Sequence, residues 1–133
     1  MSKSQLLHVL DQACRDLIFV SEIDAALVPF EGPSAGSITT EIVMNIAKVD
    51  GGSVPIEEIN ADEFFARLTI SRDWHGDVQK ERAKKFQELV LLLKENLRHL
   101  KVFRVGKVRI DIYVIGLAAD GRVFGIKTTT VET

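Results

Sequence analysis

Apolar residues along this chain repeat with a helical period in some stretches and a strand period in others. In the N-terminal segment Leu6, Leu10, Ala13 and Leu17 recur at three- and four-residue steps, with Leu7, Cys14 and Ile18 on the adjoining edge. That spacing predicts a first amphipathic helix. In "VSEIDAALVPFEGPSAGS" the period is broken by Pro29, Gly32, Pro33 and Gly36. A short edge strand around Ala26 to Phe30 is expected there, running into a loop, because proline cannot donate to a ladder and is tolerated only at an edge. "TTEIVMNIAKVDGG" predicts a short helix capped by Thr39 or Thr40, with Ile42, Val43 and Ile46 inward and Gly51-Gly52 closing the unit. "SVPIEEI" reads as a strand. "NADEFFARL" reads as a helix with Asn60 as N-cap and Asp62 and Glu63 in a first turn that favours negative charge.

The longest predicted helix runs from about Val78 to His99. Phe86, Leu89, Val90, Leu93 and Leu97 form its buried stripe, and Arg98 and His99 sit at the end that favours positive charge. From Val102 the period becomes two: Val108, Ile110, Ile112 and Val114 alternate with Arg109, Asp111 and Tyr113, and "AADGR" turns the chain through Asp120-Gly121 into a last strand. Ile115 and Leu117 make the second face of that hairpin apolar too, which calls for helices on both sides. The expected fold is α+β: an antiparallel sheet flanked by helices on both faces, an α/β/α sandwich with a long C-terminal hairpin, forming one domain over 1–133.

Composition narrows the function. With 46% hydrophobic residues among 133, the chain can bury a core without covalent staples. A net charge of -2, with Lys and Arg scattered among Asp and Glu, supplies no basic field for gripping nucleic acid directly. The single cysteine, Cys14, excludes an internal disulfide framework and agrees with a reducing compartment. The N-terminal stretch is interrupted by His8, Asp11, Arg15 and Asp16, so it has no secretory apolar block, and nowhere do ~18 apolar residues run together. A cytoplasmic protein is expected.

Catalytic signals are weak. His8 lies on the first helix and His99 at a helix end, both better suited to surface roles, and Cys14 falls on a core-facing edge rather than in a reactive setting. No Cys-x-x-Cys, His-x-x-x-His, phosphate-cradling glycine loop or nucleophile elbow occurs. Asp73, His75 and Asp77 alternate in a polar linker, a pattern that loop solvation accounts for better than a metal site does. A non-enzyme is expected.

Three stretches invite a binding role. Glu22 and Asp24 bracket Ile23 after the first helix, as either a solvated loop or an acidic contact. Trp74, the only tryptophan, sits in the polar stretch "SRDWHGD" and reads either as a core plug or as a contact hot spot, with Asp73 beside it as a helix cap or part of the same contact. The closing "TTTVET" reads as ordered strand, its threonines as exposed faces of an edge strand. Thr133 offers a hydroxyl and a carboxylate, and Glu132 adds another carboxylate. Such hard oxygen donors suit Mg²⁺ or Ca²⁺, but they are too few for a complete site, so any metal would belong mostly to a partner.

The sequence resembles the nuclease A inhibitors, small proteins that block a sugar-non-specific, metal-dependent nuclease. The resemblance rests on an ordered set spread over nearly the whole chain: "SE" at Ser21-Glu22, "EIV" at Glu41 to Val43, "FF" at Phe64-Phe65, "DW" at Asp73-Trp74, "KFQ" at Lys85 to Gln87, "DIYVIG" at Asp111 to Gly116, and the closing "VET". It implies a helix-flanked sheet and a ββα-metal DNA/RNA nuclease as partner. It further implies that Thr133 reaches the nuclease's catalytic cation (Mg²⁺ or similar), the inhibitor having no intrinsic cofactor. Glu22 would pair with an active-site arginine in place of a substrate phosphate. Asp73 and Trp74 would form a contact loop, and Glu132, which keeps its position in the family pattern, would be a further partner-binding residue. The protein is expected to be a monomer alone and a 1:1 heterodimer in complex. Arg72 and His75-Gly76 depart from the family pattern, and they motivate the alternative of a protein- or peptide-binding module with a different partner.

Overall fold

Helix α1, Lys3–Cys14, is the first element of the computed structural model, which describes residues 3–15, 17–20, 24–48, 54–69 and 76–131. Leu6, Leu10 and Cys14 of α1 are buried at the expected spacing. The helix ends sooner than its apolar period suggests, as the Leu17 N–H closes on the Cys14 carbonyl at 3.1 Å and the chain becomes strand β1, Ile18–Val20. The β-branched and aromatic run Ile18-Phe19-Val20 favours the extended state. Leu17 is still buried as anticipated, from outside the helix. β1 pairs antiparallel with β2, Asp24–Ala26.

Strand β3, Val28–Ser34, begins after Leu27 and extends through Gly32 and Pro33, which the sequence reading assigned to a loop. A register irregularity between Glu31 and Ser34 accommodates them, and Pro29 and Pro33 fit because β3 is an edge strand. Helix α2, Thr40–Ala47, is capped by Thr39, whose Oγ1 accepts from the Ile42 N–H at 3.3 Å. It stops at Lys48, which adopts a left-handed conformation with φ 58°, ahead of the expected Gly51-Gly52, a pair outside the described residues. Strand β4, Ile56–Ile59, leads to α3, Ala61–Thr69, whose N-cap is Asn60: its Oδ1 accepts from the Glu63 N–H at 2.9 Å.

Helix α4 spans Asp77–Asn96, with Phe86, Leu89, Val90, Leu93 and Leu97 buried as the period requires. Arg98 and His99 do not belong to it. Leu97 is already extended at φ −124°, and Arg98 opens strand β5, Arg98–Gly106. The ladder slips between Arg98 and Lys101, where His99 takes a positive φ of 56°, and this bulge crosses closely over Gly116, leaving 2.9 Å between Leu97 Cβ and any Cβ placed there. Leu97 thus keeps its place in the helical apolar stripe from an extended backbone, which is why the period overran the helix.

Strands β6, Arg109–Leu117, and β7, Arg122–Val131, form the long hairpin. Its turn carries Gly121 at φ 86°, a conformation that suits glycine, and Asp120 Oδ1 accepts from the Arg122 N–H at 3.0 Å. Val108 does not join the inward set; it lies in the β5–β6 turn and is 57% exposed.

The class is α+β, with a fully antiparallel five-stranded sheet ordered β3-β7-β6-β5-β4. Along β6 successive side chains enter different cores. Ile110, Ile112 and Val114 join residues of α1, α3 and α4. Tyr113, Ile115 and Leu117 join Val43 and the flanking Ile42 and Ile46 of α2. Because both parities are buried, the strands read as nearly continuous apolar runs.

Candidate functional site

On β7 the alternate threonines are not exposed faces, although pairing with β3 ends at Lys127: Thr128 is 4% and Thr130 6% exposed. Both point to the face covered by α1, α3 and α4, following Phe124 and Ile126 at two-residue steps. Among the described residues Thr128 Oγ1 is buried with no hydrogen-bond partner.

Thr128 also lines a small cavity of about 10 Å³, whose ten other lining residues are all apolar. Among them are Leu27, which follows β2, and Leu68, near the end of α3. Three segments therefore meet at one point of the core. Leu27 lies five residues after Glu22, Leu68 five before Asp73, and Thr128 five before Thr133. β2 lies against β7, and the Gln87 side-chain amide of α4 donates to the Thr69 carbonyl at 3.1 Å, tying the end of α3 to α4. Glu22, Asp73, Trp74, Glu132 and Thr133 themselves lie outside the described residues, as do Arg72 and His75.

The opposite parity of β7 carries a polar and aromatic group that the sequence reading did not single out. Asp111 of β6 stands directly across from Thr129, whose Oγ1 donates to Asp111 Oδ1 at 3.0 Å. Lys127 Nζ is 3.9 Å from Asp111 Oδ2 and 5.7 Å from the centre of the Tyr113 ring. Phe30 of β3 meets the same ring edge to face at 5.9 Å. Burial, with a smaller contribution from the Asp111 charge, raises the Tyr113 pKa and keeps the phenol neutral. The strand register could have revealed the Asp111–Thr129 pair, but it follows only once the turn at Asp120-Gly121 fixes which residues oppose one another.

The other candidate chemistry is quiet. Cys14 is buried, and desolvation, reinforced by Asp11, pushes its thiol up to about 12, far from a reactive thiolate. His8 and His99 are exposed. Among the described residues no group of three or more His, Cys, Asp or Glu gathers to hold a metal ion, and no helix is long and apolar enough to cross a membrane.

Comparison with known proteins adds the family. No curated protein matches the chain. The family model described as nuclease A inhibitor-like protein matches residues 4–133, a span that takes in every element from α1 to β7. The chain belongs to the nuclease A inhibitor-like family.

Proposed function

We infer that this protein inhibits a sugar-non-specific, metal-dependent nuclease of the ββα-metal type by occupying its active site without turnover. The observation that carries this reading is the meeting of Leu27, Leu68 and Thr128 at one cavity, which anchors to a common part of the core the three segments leading to Glu22, Asp73-Trp74 and Thr133. Five residues span at most about 18 Å of extended chain, so the three can serve one interface of ordinary dimensions. Family membership supplies the class of partner.

In this reading Thr133 presents its hydroxyl and carboxylate oxygens to the nuclease's own divalent cation, Mg²⁺ or a similar hard ion. The inhibitor brings no cofactor of its own. Glu22 pairs with an active-site arginine, in the geometry a substrate phosphate would use. Trp74 supplies an aromatic anchor beside Asp73, and Glu132 adds negative charge near the cation. A standard interface of roughly 1,600 Å² suffices for nanomolar or tighter binding in a 1:1 complex formed from a monomer. The setting is the cytoplasm.

Titration of such a nuclease with this protein, followed by DNA degradation, tests the proposal. A linear fall in activity to an endpoint at one equivalent supports it. Full activity under a large molar excess, together with capture of an unrelated protein through the Trp74 segment, supports a binding module of another kind.

A further inference from the structure

Among the described residues β7 is held on both sides only as far as Lys127. Its pairing with β3 ends at Val28↔Lys127, whereas pairing with β6 continues through Asp111↔Thr129 to Arg109↔Val131. β2 lies beside β7 but belongs to a separate two-stranded sheet. A strand end laddered on one side has fewer backbone bonds to hold it in register, so it depends more on side-chain contacts, here the burial of Thr128 and Thr130 on the helix-covered face and the contacts of Thr129 and Lys127 on the other. The Asp111 group sits at this transition. Thr129 Oγ1 donates to one carboxylate oxygen, and Lys127 Nζ lies 3.9 Å from the other. Lys127 is itself seated over Tyr113, against which Phe30 of the edge strand packs. The last doubly flanked residue and the first singly flanked stretch are thereby linked to one acid on β6.

We propose that Asp111, through Thr129 and Lys127, is a positioning residue that holds the end of β7 in register, so that the residues after Val131 are presented with little ordering left to do on binding. This rests on the nuclease-inhibitor reading above. Preorganisation of this kind improves affinity by reducing the conformational entropy lost at the interface. A Thr–carboxylate bond is a charge-assisted one, and neither Asp111 nor Thr129 belongs to either apolar core, so its removal from a half-buried site weakens the hold on the strand end without deleting a core side chain.

The test uses T129V, which keeps the β-branched shape and removes the donor, alongside D111A and D111N. Amide hydrogen exchange of Thr128–Val131 is measured in the free protein, inhibition of the nuclease is titrated, and urea unfolding reports global stability. The expected result is about fivefold faster exchange at the strand end in T129V and D111A, a comparable weakening of inhibition, and a double variant no worse than either single one. D111N, whose amide oxygen still accepts from Thr129 but lacks the charge facing Lys127, is expected to fall between. Unchanged exchange in T129V overturns the proposal. So does faster exchange with undiminished inhibition. If the native chain itself fails to inhibit, the inhibitor reading falls, and exchange in the free protein then reports separately whether the acid holds the strand.

Discussion

Thr128 and Leu68, which are 60 positions apart in the chain, line the same small cavity in the core. The hydroxyl of Thr128 finds no partner among the described residues, and every other lining residue is apolar. A void of about 10 Å³ has room for a single water at most, and a water needs two or more polar partners to stay. The hydroxyl is therefore buried at a net cost. T128V, which exchanges it for a methyl of similar size, is expected to stabilise the fold by about 1 kcal/mol, read as a higher urea midpoint at unchanged slope. A lower midpoint would mean that the hydroxyl is satisfied.

Gly125 answers the opposite constraint. Phe30 lies across from it in the β3–β7 register, and a Cβ added at Gly125 would run into the Val114 carbonyl oxygen of β6. Backbone cannot swing aside as a side chain does. G125A is expected to cost about 3 kcal/mol, measurable by the same unfolding curves.

Cys14 gives the protein an alkaline signature. Its folded pKa is pushed up to about 12 from the ordinary thiol value of 9.0, mainly by burial. Between those values the unfolded chain has lost the thiol proton and the native chain has kept it, so the native state binds more protons and stability falls as pH rises. Below the unfolded pKa the group contributes no slope. C14A is expected to remove a decline approaching ~1.4 kcal/mol per pH unit above about pH 9, seen by comparing unfolding free energies at two alkaline pH values. Alkylation of Cys14 in the native protein should accordingly follow unfolding.

Much of this fold is written in local patterns. The caps Thr39 and Asn60, the turn Asp120-Gly121 and the stripe from Phe86 to Leu93 are short-range features, and each stands where its chemistry requires. The boundaries that differ are set by tertiary contact. Leu17 and Leu97 complete helical apolar stripes from outside the helices, and only the packing of the 97–100 bulge over Gly116 shows where α4 must stop. The threonines of β7 carry no sequence mark of burial, because threonine suits exposed and covered strand faces alike. For the proposed contact residues Glu22, Asp73, Trp74 and Thr133 sequence supplies the identities, and the described fold supplies only the meeting of Leu27, Leu68 and Thr128, five residues from three of them, at one cavity. The Asp111–Thr129 pair needed the register of two strands before it could be seen.

Glu22 is proposed to act by charge as well as shape. E22Q preserves the outline and removes the charge, so a charge-assisted pairing with an arginine should lose about 2 kcal/mol, or roughly thirtyfold in the inhibition constant. Global stability should stay within about 0.5 kcal/mol, as expected of a residue that acts in binding. W74A should weaken inhibition by removing an aromatic anchor, and an unchanged inhibition constant would show that Trp74 does not face the nuclease.

The central claim is that the oxygens of Thr133 enter the nuclease's active site, and the most direct measurement compares the inhibition constant of the native chain with that of a chain carrying ten additional C-terminal residues. Burying the extension is sterically impossible if Thr133 sits at a desolvated interface centre, so inhibition should weaken by about thirtyfold or more, corresponding to at least about 2 kcal/mol, with the fold intact. Equal inhibition by the two chains would contradict the account.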